Sequence, residues 1–322
     1  MEPVTHQTNS NHLEWNESYY FTFFNKKHNI GGVSRIGFKP NKQEGMTFFF
    51  LFLPDGSAGG YHQVKKVKNY SKKLQVAGMS HNCRQDGKWS YNFRGYLAIV
   101  KNPEDLPRVR DKPNLINEMK PVEMHLEFDP INEVYEYSEY MSAESLELGK
   151  KAGDKHWEQI ALIEGEIYIG EQELSIKDTI GQRDHTYGIR DWTGVGNWLY
   201  YVVWFNKNLA INPATIIGHD GSLSTGGFLF KEGKNIPLKT ISITDQQFRK
   251  NGVFPISSEL EIIDYESEKH NLKAKVGPII PIEFIDSKGN KAILIQSFGD
   301  FELDGLKGGY GTFETLRRVK NI

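Results

Sequence analysis

With a single cysteine, Cys83, the chain has no internal disulfide, and nothing in it calls for an oxidising compartment. It also lacks any apolar run near the ~18 residues of a membrane-spanning helix. The longest runs, at 47–53 and 198–205, are strand-sized. The first residues contain no basic stretch followed by an apolar core, so no signal peptide is expected. The expectation is a soluble, cytoplasmic protein without integral membrane association. Charge of one sign is missing too: 39 basic and 41 acidic residues leave −2, which gives no electrostatic footprint for nucleic acid. The ten histidines include no His-x-His or His-Glu-x-x-His spacing, and no Cys-x-x-Cys is present, so no metal site is expected. His81-Asn82-Cys83 holds two soft ligands, but its commoner meaning is a buried thiol beside a loop histidine. Glycines 305, 308, 309 and 311 precede no helix, so they form no phosphate loop. No Gly-x-Ser-x-Gly elbow occurs. No cofactor is expected, and the oligomeric state is left open.

What the chain has is glycine, 31 residues, and aromatics, 12%, arranged in short alternating segments. Trp89, Tyr91 and Phe93 alternate with polar residues, as do Met124, Leu126 and Phe128, which is the period of half-buried strands. Turn signals separate such segments along the whole length, for example Pro54-Asp55-Gly56-Ser57 and His219-Asp220-Gly221-Ser222. One short helix is expected at 143–151, and a proline-rich loop at 103–121. This pattern is all-β, a sandwich or barrel. Segments 47–53 and 199–205 share an apolar texture about half the chain apart, and each follows a stretch with glycine and arginine. Two related barrels in tandem fit this, divided as 1–160 and 161–322. Segment 198–205 is apolar on both faces, which suits a strand packed on one side and facing a second barrel or a cavity on the other.

Chemistry-bearing residues concentrate in one run, Gly181-Gln182-Arg183-Asp184-His185-Thr186-Tyr187-Gly188-Ile189-Arg190-Asp191-Trp192, which has a single aliphatic residue. In an extended strand Arg183, His185 and Tyr187 share one face, and Asp184 and Thr186 the other, although Gly181 and Gly188 permit a bulge. Histidine is the side chain suited to proton transfer near neutral pH. A carboxyl such as Asp184 or Asp191, desolvated by aromatic walls, would have its pKa raised and act as an acid. Trp192, Trp198, Tyr200 and Trp204 would line an apolar substrate pocket, and the indoles would stabilise a developing carbocation. The same polar density also suits a satisfied ion and hydrogen-bond network fixing one barrel on the other, with Arg183, Arg190 and Asp191 as its members.

At this run the sequence resembles the carotenoid 1,2-hydratase (hydroxyneurosporene synthase) and AttH-like superfamily, whose hallmark reads Gly-x-x-Asp-His-x-Trp/Tyr-Gly-x-Arg-Asp-Trp. His156-Trp157-Glu158-Gln159, Glu164-Gly165-Glu166-Ile167 and Gly309-Tyr310-Gly311 with Glu314 and Arg317 support it. The resemblance implies two lipocalin-like antiparallel β-barrels side by side and a cofactor-free protein. It also implies His185 and Tyr187 as site residues, with Tyr187 standing where the hydratases carry Trp. The expected function is a hydratase- or cyclase-like lyase or isomerase acting on a hydrophobic isoprenoid or polyketide-type molecule, with Asp184, His185 and Tyr187 catalytic. Two other readings stand beside it: a non-catalytic carrier of lipids or hydrophobic metabolites, and a structural interaction protein.

Overall fold

A computed structural model describes residues 4–70, 73–150 and 152–319. Strand makes up 65% and helix 7%, so the fold class is all-β as the alternation predicts. The chain forms two compact units. The first holds the residues up to Val134 and His156–Ile189; the second holds Tyr135–Lys155 and the residues from Arg190 onward. Among the described residues, no helix is long and apolar enough to cross a membrane.

The first unit contains β1 (Trp15–Asn25), β2 (Ile30–Lys39), β3 (Glu44–Phe52), β4 (Ala58–Lys66), β5 (Leu74–Val76), β6 (Met79–Cys83), β7 (Trp89–Val100) and β8 (Glu118–Pro130). The segment Tyr135–Lys155 carries β9 (Tyr135–Glu136) and the expected helix, α1 (Ala143–Gly149). The chain then returns for β10 (Lys155–Ile169) and β11 (Gln172–Ile189). The pairing order β4-β3-β2-β1-β11-β10-β8-β7, with β7 joined back to β4, makes an eight-strand antiparallel circuit, and the β5–β6 hairpin extends from β7. Residues 181–189 of the run therefore supply the strand that closes this unit against β1, while Arg190, Asp191 and Trp192 belong to the second unit, so the boundary falls inside the run and not at 160/161. That closing partner lies far away in sequence, and hairpin-by-hairpin reading does not reveal it.

Inside the circuit sit Phe21 and Phe23 of β1, Phe49 and Leu51 of β3, Trp89, Tyr91 and Phe93 of β7, and Met124, Leu126 and Phe128 of β8. Phe21 and Tyr91 stack at 3.8 Å with planes 7° apart. On β3 the alternate residues Phe48, Phe50 and Phe52 are buried as well, so the strand has no water-facing side. This explains its unbroken apolar texture.

The second unit is a closed barrel of β12 (Asn197–Asn206), β13 (Leu209–Ile217), β14 (Leu223–Lys231), β15 (Lys234–Phe248), β16 (Pro255–Asp264), β17 (Lys269–Ile285), β18 (Lys291–Leu303) and β19 (Leu306–Val319). Leu199, Tyr201 and Val203 of β12 join its core with Phe301 and Phe313, and the Tyr201 hydroxyl meets Ser258 Oγ at 2.8 Å. Each unit is thus an eight-strand antiparallel circuit, in agreement with tandem lipocalin-like barrels. The sequence parallel that suggested a duplication joins different positions, however: 47–53 falls on the third strand of its circuit, and 199–205 on the first. Both have both faces covered, and that requirement alone produces the shared texture.

His81 lies on β6 rather than in a loop, and it is the imidazole, not the neighbouring thiol, that is fully buried. Its ring packs edge-on to Tyr91 at 4.6 Å, and neither ring nitrogen has a hydrogen-bond partner among the described residues. Burial alone pushes its pKa down to about 3, from 6.5. Between those values the unfolded chain holds a proton that the folded chain does not, so stability falls as pH drops from 6.5 towards 3. Urea unfolding at several pH values should show the wild type losing stability more steeply than His81→Leu across this window, by up to about 1.4 kcal/mol per pH unit. At pH 7 the variant should be as stable as the wild type, or about 1 kcal/mol more so, because an unpaired buried N–H is removed.

Candidate functional site

Strand β11 pairs with β1 without a register shift from Ile180 opposite Phe24 to Ile189 opposite Trp15. No bulge interrupts it at either glycine. Gly181 is needed for close approach, since a Cβ there would lie 2.6 Å from Ile163 Cγ1. Gly188 has φ +128, a conformation that residues with a side chain rarely adopt. Alternation therefore holds along the run. Residues directly opposite share a face, so Phe21 with Arg183, Tyr19 with His185 and Glu17 with Tyr187 all belong to the interior side.

His185 is completely buried, as is the carboxylate it meets, with Nε2 3.0 Å from Glu17 Oε1. The same oxygen accepts from the backbone N–H of His6 at 2.9 Å and lies 2.8 Å from His6 Nδ1. Burial works to raise the Glu17 pKa, but the hydrogen bond and charge of His185, with hydrogen bonds from His6 and Tyr70, outweigh it and hold the carboxyl below its ordinary range. Aromatic rings enclose the pair. Tyr19 stacks on His185 at 4.4 Å, and Trp157 stands 5.2 Å from it. Tyr187, half-buried, packs 5.7 Å from Trp157 and 5.9 Å from Trp15. Arg183 donates from Nε and a terminal nitrogen to Gln159 Oε1 at 3.0 and 2.9 Å, and lies over the Trp89 ring at 4.9 Å.

Asp184 faces the opposite way and is separated from His185 by the strand itself. It groups with His156 and Glu158 of β10. There His156 Nε2 lies 2.7 Å from Glu158 Oε1, its Nδ1 lies 2.6 Å from Thr186 Oγ1, and Gln182 donates to the other Glu158 oxygen. The predicted trio Asp184, His185 and Tyr187 is thereby split across two faces. Sequence reasoning missed the carboxylate that does meet His185. Glu17 is the one charged residue in the inward series Glu17, Tyr19, Phe21, Phe23, and an acid on an otherwise aromatic face is the signal that was available.

The expected substrate-binding aromatics all belong to the second unit. Trp192 lies 5.4 Å from Trp198 and stacks on Phe284 at 4.5 Å. Trp198 donates to Glu314 Oε1 at 3.0 Å, Trp204 is fully buried with Tyr310 at 5.9 Å, and Tyr200 is half-buried on the same face of β12. Arg190 donates to the Ala152 carbonyl and lies over Trp192 at 5.1 Å. Asp191 is exposed, and its Oδ1 accepts from the backbone N–H groups of Thr193 and Gly194, as a turn-former does. The interactions of Arg183 described above lie within the first unit, and those of Arg190 and Asp191 within the second.

Among the described residues, two groups place cation-ligand atoms within 4.8 Å of one another: His6, Glu17 and His185, and His156, Glu158 and Asp184. Both gather residues far apart in sequence, so no spacing motif announces them. In the first, separations of 2.8 and 3.0 Å from Glu17 Oε1 are those of N–H···O hydrogen bonds. Ligands about 2.0–2.1 Å from a tetrahedral ion would stand roughly 3.3 Å apart.

A family model described as "Domain of unknown function (DUF7064)" matches residues 2–319. No curated protein matches the chain. Among solved structures it is similar to an AttH-type protein from Nitrosomonas europaea, with TM-score 0.63 and 11% identity over 98% of both chains. Kievitone hydratase from Nectria haematococca superposes with TM-score 0.57 at 10% identity, over 93% of this chain and 87% of that one. CghA does so with TM-score 0.56 at 11% identity, over 99% and 94%. The likeness is one of fold.

Because several donors converge on Glu17, its removal should be costly. Glu17→Ala should lower stability at pH 7 by about 2–4 kcal/mol, and Glu17→Gln by less. The folded carboxyl lies below its unfolded value of 4.5, so this contribution is present above pH 4.5 and disappears as pH falls through the folded value. Denaturation of wild type and Glu17→Gln across that window should show the two curves converge in acid; a constant gap would mean that the charge contributes nothing.

Proposed function

We propose, for a chain that belongs to the DUF7064 family and shares its fold with a hydratase, a cofactor-independent lyase or isomerase of the hydratase or cyclase kind. Its substrate is a hydrophobic small molecule of isoprenoid or polyketide type. The observation that carries this reading is the His185–Glu17 pair, fully buried and surrounded by Tyr19, Trp157 and Tyr187. Such a pair has a direct proton-transfer role. Glu17, ionised, accepts from Nε2–H and fixes the tautomer, and to Nδ1 we assign the proton that is taken or given. In hydration, the imidazolium gives its Nδ1 proton to one alkene carbon. Water adds to the other carbon, and its surplus proton returns to Nδ1. The π faces of Trp157 and Tyr187 favour the intervening cation. In cyclisation Nδ1 takes a proton from a carbon beside a carbonyl, the enolate carbon so formed adds to a second carbonyl carbon of the same molecule as that C=O π bond breaks, and the imidazolium returns the proton to the resulting oxygen. Asp184, on the other face of β11, takes no part in that step.

Turnover of polyene, terpenoid and polyketide substrates by wild type and His185→Ala tests this. General acid–base catalysis contributes about 10²–10⁴-fold, so kcat should fall by that factor in a variant whose circular dichroism is unchanged. Equal activity would remove His185 from the mechanism. Native mass spectrometry after organic extraction separates an enzyme from a carrier: an unchanged lipid recovered in stoichiometric amount would favour the carrier.

A further inference from the structure

We infer that the His6 side chain occupies the position of a ligand, and that the ligand is a molecule whose planar aromatic ring bears an O–H or N–H donor, of phenol or azole type. The inference rests on the His185–Glu17 reading of the site and names the substrate's recognised part. His6 comes from residues 4–14, which form no strand and are mostly exposed. Both apolar side chains there stay in water, Val4 at 38% and Leu13 at 57% exposure. Their attachment is polar: the Tyr19 hydroxyl donates to the Val4 carbonyl, Trp15 Nε1 to Asn9 Oδ1, and Asn41 Nδ2 to the Ser10 and His12 carbonyls. Lys39 and Lys42 pair with Glu14. A segment fixed this way buries little apolar surface and is the easiest part of the unit to lift.

The His6 imidazole itself is held much as a bound molecule is. It lies parallel to Trp157, with centroids 5.2 Å apart and planes 9° apart, and 4.4 Å from the Tyr187 ring. Its Nδ1 reaches the buried Glu17 oxygen that also serves His185. Its centroid stands 5.2 Å from that of His185, so a ring in its place sits beside the proton-transferring group. The slot that Trp157 and Tyr187 wall on two adjacent sides, their rings 5.7 Å apart, thus selects a flat π system, and Glu17 selects a donor on its edge. A saturated ring forfeits the stacking; displacing His6 removes two of the carboxylate's donors, of which a phenol or azole restores one and an aromatic hydrocarbon none. Residues 4–14 then act as a strap that the substrate displaces, and apparent affinity is lowered by the fraction of closed strap.

The test uses the full chain with p-cresol and 4-methylimidazole as probes, and toluene and cyclohexanol as controls lacking the donor or the π face. In wild type, saturating p-cresol should speed amide exchange in residues 4–14 at least tenfold, with the His6 N–H, bonded to Glu17, among those released. Calorimetry should show His6→Ala binding both probes about tenfold or more tighter than wild type, with no such gain for either control. Unchanged exchange with p-cresol bound would overturn the inference, as would equal affinities of wild type and His6→Ala, or controls that gain as much as the probes. The exchange measurement excludes simple filling of the hole left by the alanine, because it is made on the intact side chain. If the strap does not respond while turnover still depends on His185, this inference fails and the proposed reaction stands. If the strap is displaced but His185→Ala keeps full turnover, the reaction fails and the ring-binding slot stands.

Discussion

The antiparallel pairing of β1 with β11 is the constraint on which the first unit depends. It closes an eight-strand circuit, and its register sets Tyr19 against His185 and Glu17 against Tyr187. A slip of one residue would turn His185 outward and bring Asp184 in, because strand side chains alternate faces. The site reinforces the register in return. A buried carboxylate is expensive unless donors converge on it, and only this pairing brings His185 Nε2 to Glu17 while leaving its oxygen open to His6. Closure of the barrel and assembly of the proton-transfer pair are therefore one structural event.

This explains which parts of the molecule were legible in the sequence. A strand's period of two is local, so the all-β class and the positions of Trp89, Tyr91 and Phe93 could be read directly, as could the common face of Arg183, His185 and Tyr187. Which strand closes a circuit is not local. Nothing near residue 185 says that its partner is residue 19, so Glu17 was missed and the second unit was expected to begin too early. Trp198, Tyr200 and Trp204 belong to a different unit from His185, because β11 is the last strand of the first circuit and β12 the first strand of the second, a boundary that polar density in the sequence does not mark. The apparent half-chain repeat reflected a shared burial requirement, not corresponding strands.

The run from Gly181 to Trp192 is dense in polar groups because β11 is buried on both faces and carries polar residues on each. Its inner side holds Arg183, fixed to Gln159, and His185, fixed to Glu17. Its outer side holds Gln182, which donates to the fully buried Glu158, beside Asp184 and His156. The bonds of Gln182 to Glu158 and of His156 to both Glu158 and Thr186 are what buried polar groups require for stability, with no catalytic task implied.

The second unit repeats that outer arrangement. β10 and β11 are the last two strands of the first circuit, β18 and β19 the last two of the second. Glu158 on β10 accepts from Gln182 on β11; Glu314 on β19 accepts from Gln296 on β18 and from Trp198. Both pairs are buried on the face away from the barrel core, with the order of acid and amide exchanged between the strands. A buried carboxylate is costly to place unless a donor meets it, and in both circuits an amide from the neighbouring strand supplies that donor. The inner arrangement is not repeated, since Tyr201 and Phe313 fill the core of the second barrel where the first has His185 and Glu17 on its inward face. What the two barrels share is the outer scaffold, and what distinguishes the first is the buried imidazole–carboxylate pair.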